Sequence, residues 1–261
     1  MNHVMYNQLQ LREIFHLEFL RRFGRKAKAE CYALKGGANL RFFFNSIRYS
    51  EDMDIDLKGV KVNVVKDTVM GVLENADFRK TLKSYGVEDL ILPDMSKAKQ
   101  TETTQRFKVH LITPSGEDLF TKVEFSRRGF KGGVIVEEAS SNVLHLYKMV
   151  PLATPHYGMH SAVMQKIEAL ATRSATQARD IFDLYFLNSQ YHPAANKGVA
   201  VGPSKIAKAH ENLFGVSFNQ FRDTVVSYLA FEEQALYASA TRWDEIKLKV
   251  ASFLEGIRGS K

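Results

Sequence analysis

The stretch that most constrains the fold is residues 34–57, where a pair of glycines is followed by a run of carboxylates. Gly36 and Gly37 end the apolar run Cys31, Tyr32, Ala33, Leu34 and precede a helix-like segment. Paired glycines weaken either element, so their use is a positive φ or a close backbone approach at a strand-to-helix turn. Glu51, Asp52, Asp54 and Asp56 then place four carboxylates within six residues. Aspartate is a poor strand former, yet Met53, Ile55 and Leu57 alternate with it as in a half-buried strand. That alternation puts Asp52, Asp54 and Asp56 on one face, successive members about 6.5–7 Å apart. Like charges so placed repel unless cations sit among them, and metal binding is the reading adopted.

The carboxylates stand out because the chain as a whole is basic. Thirty-six Lys and Arg against 29 Asp and Glu give a net charge of +7. Such an excess suits a polyanionic partner, although charge alone speaks to association and solubility rather than to fold. With 261 residues the chain suits one large domain or two small ones, and 45% hydrophobic residues give it a core. One cysteine excludes an internal disulfide framework and a thiolate-rich zinc site. The first residues lack the basic end and apolar stretch of a signal peptide. No apolar run approaches the roughly 18 residues needed to span a membrane, so a cytoplasmic protein is expected.

Periodicity predicts an amphipathic helix over residues 7–23, with Leu11, Phe15, Phe19 and Phe23 on its inner face and Gly24 as a stop. A strand at 31–34, a short helix near 38–46 and the acidic strand follow. Residues 62–82 read as one helix. Residues 107–112, 119–125 and 134–136 read as strands, the first two joined by a turn at Pro114, Ser115 and Gly116. From 163 to 187 the pattern is helical with a break near 174–176. A Pro/Gly/Asn-rich connection spans 192–203, and helices are expected over 204–214, 217–231 and 241–257. The fold class expected is α+β: a mixed-sheet domain over residues 1–140 and a mainly helical one over 141–261.

A glycine turn feeding a helix N-terminus offers backbone N–H donors to phosphate, and an Asp-x-Asp strand beside it offers oxygens to Mg²⁺. Nucleotidyl transfer needs such a cradle, such carboxylates and cationic groups to offset moving charge. The residues also resemble a known family. Lys35-Gly36-Gly37-x-x-Leu40-Arg41, followed by Arg48-x-Ser50-Glu51-Asp52-x-Asp54, resembles the first motif of the AbiEii-type nucleotidyltransferases, which include the MenT toxins. These sit within the DNA polymerase β-like superfamily.

The resemblance implies a nucleotidyltransferase core in which Asp52 and Asp54 ligate Mg²⁺ and Ser50 lies near nucleotide phosphates, beside Gly36 and Gly37. Arg48 is expected to add positive charge there, and Asp56 is either structural or a spare ligand. The superfamily usually has a third carboxylate on a neighbouring strand. Glu124 stands at that place, read either as that ligand or as a surface glutamate on an edge strand. Downstream, Lys166 with Ala169, Leu170 and Arg173, then Arg179-Asp180-x-x-Asp183, look like a second family motif. They imply a phosphate-contacting Lys166 and aspartates, Asp180 and Asp183, that serve activity or hold the lysine. Salt bridging between Arg173 and Asp180 is the competing reading. The resemblance runs over residues 30–188, and the last 70 residues carry no recognised motif.

By resemblance, the substrates would be an NTP and an RNA acceptor, the tRNA 3′ end, and the protein would be the toxin partnered by an antitoxin protein. Two alternatives stay open: a non-catalytic module that binds RNA or protein, and a small-molecule nucleotidyltransferase. Intact glycines and carboxylates weigh against the first. A second domain that is not acidic weighs against the cationic small substrates of antibiotic-modifying relatives. His110 either faces the cleft or is a strand histidine. His145, His156 and His160 have no zinc-ligand spacing and are read as loop or core residues.

Overall fold

The computed structural model describes residues 5–192 and 201–259. Contacts divide the chain into two compact units. The first holds Met1–Asn45, Tyr49–Phe130 and Val134–His156. The second holds Ser46–Arg48, Lys131–Gly133 and Tyr157–Lys261.

In the first unit, helix α1 (Gln8–Lys26) is opened by a capping box between Asn7 and Gln10. Its Leu11, Phe15, Phe19 and Phe23 are buried as the four-residue spacing predicts. The helix does not stop at Gly24. That glycine is a packing residue, since a Cβ there would lie 2.7 Å from the Tyr32 hydroxyl. After it come β1 (Tyr32–Lys35), α2 (Gly36–Phe43) and β2 (Asp52–Leu57).

The predicted helix over 62–82 is two, α3 (Val62–Leu73) and α4 (Ala76–Ser84). Asn75 breaks the run because its side chain accepts from the Phe78 amide and caps α4. The remaining elements of this unit are β3 (Asp89–Ile91), β4 (Thr104–Ile112), β5 (Asp118–Ser126), β6 (Val134–Glu138), α5 (Ser141–Leu146) and β7 (Ala153–Tyr157). Gly116 in the β4–β5 turn has a positive φ, as a tight turn demands.

The seven strands form one mixed sheet in the order β3-β4-β5-β2-β1-β7-β6, so the acidic strand β2 lies at its centre. β2 runs antiparallel to β1 and parallel to β5, and β4 and β5 form a long antiparallel pair. Met53, Ile55 and Leu57 belong to the hydrophobic core with Phe15, Phe19, Phe23, Phe107, Val109, Val123 and Phe125. Burial of each such side chain contributes about 1.5–3 kcal/mol, which offsets the poor strand propensity of the aspartates between them.

The second unit is helical. Its α6 (Met159–Thr172) and α7 (Ala178–Asn188) flank the break predicted near 174–176. Then come α8 (Pro203–Leu213), α9 (Phe218–Thr224), a short 3₁₀ turn, α10 (Phe231–Tyr237) and α11 (Ala240–Gly259). The predicted helix over 217–231 is thus shorter and interrupted, although Ser217 caps it with Gln220 as a capping box. Most of the connection expected over 192–203 lies outside the described residues. No helix among the described residues is long and apolar enough to cross a membrane.

Candidate active site

The glycine turn and the acidic strand meet within the first unit. Gly36 begins α2 with φ +70°, and a Cβ there would sit 2.9 Å from Asp54 Oδ2. Glycine is therefore required twice over, by conformation and by the carboxylate packed against it. Lys35 precedes it in β1 and is in register with Asp54 of β2, while Glu124 of β5 is in register with Asp54 on the other side. Adjacent strands lie about 4.8 Å apart, so Lys35, Asp54 and Glu124 form one row across the sheet. Arg106 of β4 extends that row beyond Glu124, to which it is ion-paired. Lys122 of β5 is level with Asp52 and places its ammonium 2.8 Å from Asp52 Oδ2.

The carboxylates of this face differ in how they are compensated. Asp56 is buried and held by Lys35 Nζ at 2.5 Å. Asp52 has one oxygen on Lys122, while its Oδ1 is buried with no hydrogen-bond partner. Asp54, between them, has its carboxyl pushed above the usual range, first by burial. Lys35 and Lys122 oppose that push, while the Glu124 and Asp52 charges reinforce it. Ser50 donates its hydroxyl to the Asp52 carbonyl at 2.7 Å, fixing the turn that starts β2.

These features fit a divalent cation: an orphaned carboxylate oxygen, a neighbouring carboxyl that burial makes reluctant to ionise, and hard oxygen donors. No three Asp, Glu, His or Cys side chains converge as a metal cluster among the described residues. Two protein carboxylates completed by substrate phosphate oxygens and water would suit magnesium, which rarely takes an all-protein cage.

A support that sequence reading missed lies behind this strand. Thr121 of β5 donates its hydroxyl to the Glu51 carbonyl at 2.7 Å and meets His16 Nε2 of α1 at 2.8 Å. Because the hydroxyl proton is committed to Glu51, His16 donates from Nε2 as a neutral ring. Burial, reinforced by Arg12, lowers His16 to about 3. A second buried tie joins Arg41 of the first motif to Glu13 of α1 through two hydrogen bonds at 2.7 and 3.1 Å. The Tyr147 hydroxyl donates to the same Glu13 carboxylate. No sequence signal marked either, since Glu13 and His16 fall outside the Leu11, Phe15, Phe19 and Phe23 spacing that marks the helix's inner face.

Arg48, Lys166, Asp180 and Asp183 are brought together in the second unit. Asp180 and Asp183 share a face of α7, and Lys166 of α6 reaches both, at 3.0 and 2.6 Å. The Arg48 guanidinium makes three hydrogen bonds of 3.0–3.1 Å to Asp183. Arg173 Nε lies 3.1 Å from Asp180 Oδ2, the ion pair that the sequence raised as a competitor. Both aspartates are fully buried. Burial alone would pull Lys166 down, yet Asp183 and Asp180 outweigh it and raise its pKa. Asp183 mirrors this: burial pushes it up, and Arg48 and Lys166 bring it below the usual carboxylate range. Asp183 is paired by both Arg48 and Lys166, whereas Asp180 Oδ2 has Arg173 as an ion-pair neighbour and no hydrogen-bond partner among the described residues.

The histidines hold local contacts. His156 is buried, 2.9 Å from Asn39 Oδ1 and stacked on Phe43, His160 meets the Tyr191 hydroxyl, and His110 pairs with Asp118.

The profile of the family described as "Nucleotidyl transferase AbiEii toxin, Type IV TA system" matches residues 18–252. The chain belongs to the AbiEii family. It is a nucleotidyltransferase of that toxin family, and its mixed sheet and helices make the chain α+β. A search of curated proteins gives no match. Among solved structures, JHP933 from Helicobacter pylori superposes with a TM-score of 0.57 at 19% identity, over 98% of this chain and 94% of that one. MenT4, a nucleotidyltransferase toxin from Mycobacterium tuberculosis, superposes with a TM-score of 0.56 at 13% identity, over 96% and 92%. At such identities these likenesses speak to the fold, and the AbiEii assignment rests on the family profile.

Proposed function

We propose that this AbiEii protein moves a nucleoside monophosphate from an NTP to an RNA acceptor, the 3′ end of a tRNA, as the toxin of a pair neutralised by an antitoxin protein. The observation that carries the reading is the Asp52–Asp54 face packed against Gly36. There an unmatched carboxylate oxygen and a burial-stressed carboxyl support a cation site. Asp52 and Asp54 would hold Mg²⁺, with Glu124 next to them in register. Bound metal would lower the pKa of the acceptor hydroxyl and offset charge on the departing pyrophosphate.

The chain's own groups do the rest. The backbone N–H groups of Gly36 and Gly37 at the start of α2 would receive phosphate oxygens. Ser50 keeps its hydroxyl oxygen as an acceptor while shaping the turn before Asp52. Lys166 is proposed as a phosphate contact, with Asp180 and Asp183 orienting its ammonium and Arg48 maintaining positive charge. In the reaction the acceptor oxygen bonds to the α-phosphorus, the bond to the pyrophosphate oxygen breaks, and the hydroxyl proton leaves to solvent. The +7 net charge supports a polyanionic acceptor. The family description supports a cognate antitoxin.

The test is to incubate the full chain with Mg²⁺, each labelled NTP and total tRNA. Label is expected on tRNA, and Asp54→Ala should abolish it. RNA binding that survives Asp54→Ala, with no transfer from any NTP, would instead establish a non-catalytic module.

A further inference from the structure

The sheet face that carries the acidic pair also carries its own cations, and their placement follows the strand register. Lys122 sits level with Asp52 and binds Oδ2 at 2.8 Å. Arg106 sits level with Glu124 and binds its carboxylate. Lys35 binds Asp56. Asp54, at the centre of this set, has no ion pair among the described residues. Each cation thus pairs with a different carboxylate, and no three acidic groups converge on a point among the described residues. Asp52 and Lys122 are each about a quarter exposed, so the pair is open to exchange with solvent ions rather than sealed in the core.

We propose that Lys122 is a resident counter-ion for Asp52 that competes with the divalent metal, so that metal binds tightly only when an anionic substrate phosphate draws the ammonium off the carboxylate. This rests on the reading of Asp52 and Asp54 as metal ligands and extends it to a residue outside both sequence motifs. The chemistry is a cation exchange with no bond made or broken. The Lys122 ammonium would leave Asp52 Oδ2 for a phosphate oxygen, which would free the Asp52 carboxylate to hold the metal with Asp54. A strand position suits the task, because backbone pairing fixes the stem of Lys122 while its four-carbon chain swings between the two anions. The device would couple metal to nucleotide, each favouring the other by the same factor. Arg106 on Glu124 is the parallel contact one row away.

The experiment measures Mn²⁺ binding to the full chain by loss of the free-ion paramagnetic signal, with and without α,β-methylene analogues of the four NTPs. In wild type, Mn²⁺ alone should bind weakly, and the analogue of the preferred NTP should tighten it. Lys122→Met should tighten Mn²⁺ alone about tenfold and shrink the effect of the analogue. Lys122→Gln checks the same loss of charge in a polar side chain, and Lys122→Arg should stay near wild type. Adding Asp52→Asn to Lys122→Met should remove the gain. If wild type binds Mn²⁺ with an analogue while Lys122→Met and Lys122→Gln leave Mn²⁺ alone unchanged or weaker, the counter-ion role is overturned and the metal site stands. If no variant binds Mn²⁺ under any condition, the metal site itself falls, and this role with it.

Discussion

Two charged clusters in this protein are built from the same family motifs and obey opposite electrostatic logic. In the first unit, Asp52, Asp54 and Glu124 lie on a partly exposed sheet face with more need of cations than the protein supplies at Asp54. In the second, Asp180 and Asp183 are sealed from solvent, and Lys166, Arg48 and Arg173 form ion pairs with them, although Asp180 Oδ2 makes no hydrogen bond. A site that must take a ligand keeps a deficit that the ligand fills. In the buried cluster each carboxylate has at least one cation within ion-pair distance. Motif matching gives both sets equal standing as active-site residues, while compensation separates them.

The sharpest way to break that contrast is to remove one partner from the sealed cluster. Asp183→Asn leaves Lys166 and Arg48 as buried positive charges with one carboxylate fewer, and breaking such a pair costs about 3–5 kcal/mol. Urea unfolding of the full chain should show a loss of this size. Asp52→Asn, at its partly exposed pair with Lys122, should change stability by no more than about 1 kcal/mol. Loss of transfer alone would fit the proposed orientation of Lys166; if stability is unchanged, the buried pairs do not hold the fold, and the comparison fails.

Next in size is Asp54. Its carboxyl is held above the ordinary range in the folded chain, so between the unfolded and folded pKa values the folded state binds more protons than the unfolded one. Stability of the metal-free protein therefore falls as pH rises through that window, beginning near the ordinary Asp value of about 3.9, and stays lower above it. Asp54→Asn removes the penalty. It should raise the melting temperature of metal-free protein at neutral pH while lowering transfer by about 10²–10³-fold, the loss expected for a main electrostatic group. Mg²⁺ with nucleotide should stabilise wild type and not the variant. A drop in melting temperature on Asp54→Asn would show that the carboxylate is compensated after all.

What could be read in advance followed from how local the signal was. The glycine turn and the alternation of Asp52, Asp54 and Asp56 with Met53, Ile55 and Leu57 are nearest-neighbour patterns, and the structure holds them as read. Gly24 misled because its use is to admit the Tyr32 hydroxyl, a contact from outside the helix. β7 was invisible because Pro155 interrupts it, and β3 because three residues carry no period. The partners of the charged groups were the least legible. Arg48 and Asp183 lie 135 residues apart, and Glu13 finds Arg41 and Tyr147 across 28 and 134. Spacing along one helix can suggest that Lys166 and Arg173 share a side, but it cannot say which carboxylates close on them.

Glu124 offers the finest resolution of the contrast, because it belongs to both logics at once. It is level with Asp54 on one side and tied to Arg106 on the other. If its charge acts at the metal, Arg106 offsets part of that charge. Glu124→Gln should then lower transfer only about tenfold, roughly 1.4 kcal/mol, with little change in stability because the pair is partly exposed. In an Arg106→Met background the same substitution should cost more, since the carboxylate there acts at full strength. If Glu124 serves only to hold Arg106, each single variant loses the same amount and the double loses nothing further. The sign of that coupling, read from a double-mutant cycle of transfer rates, decides whether the third carboxylate belongs with the open face or with the closed pairs.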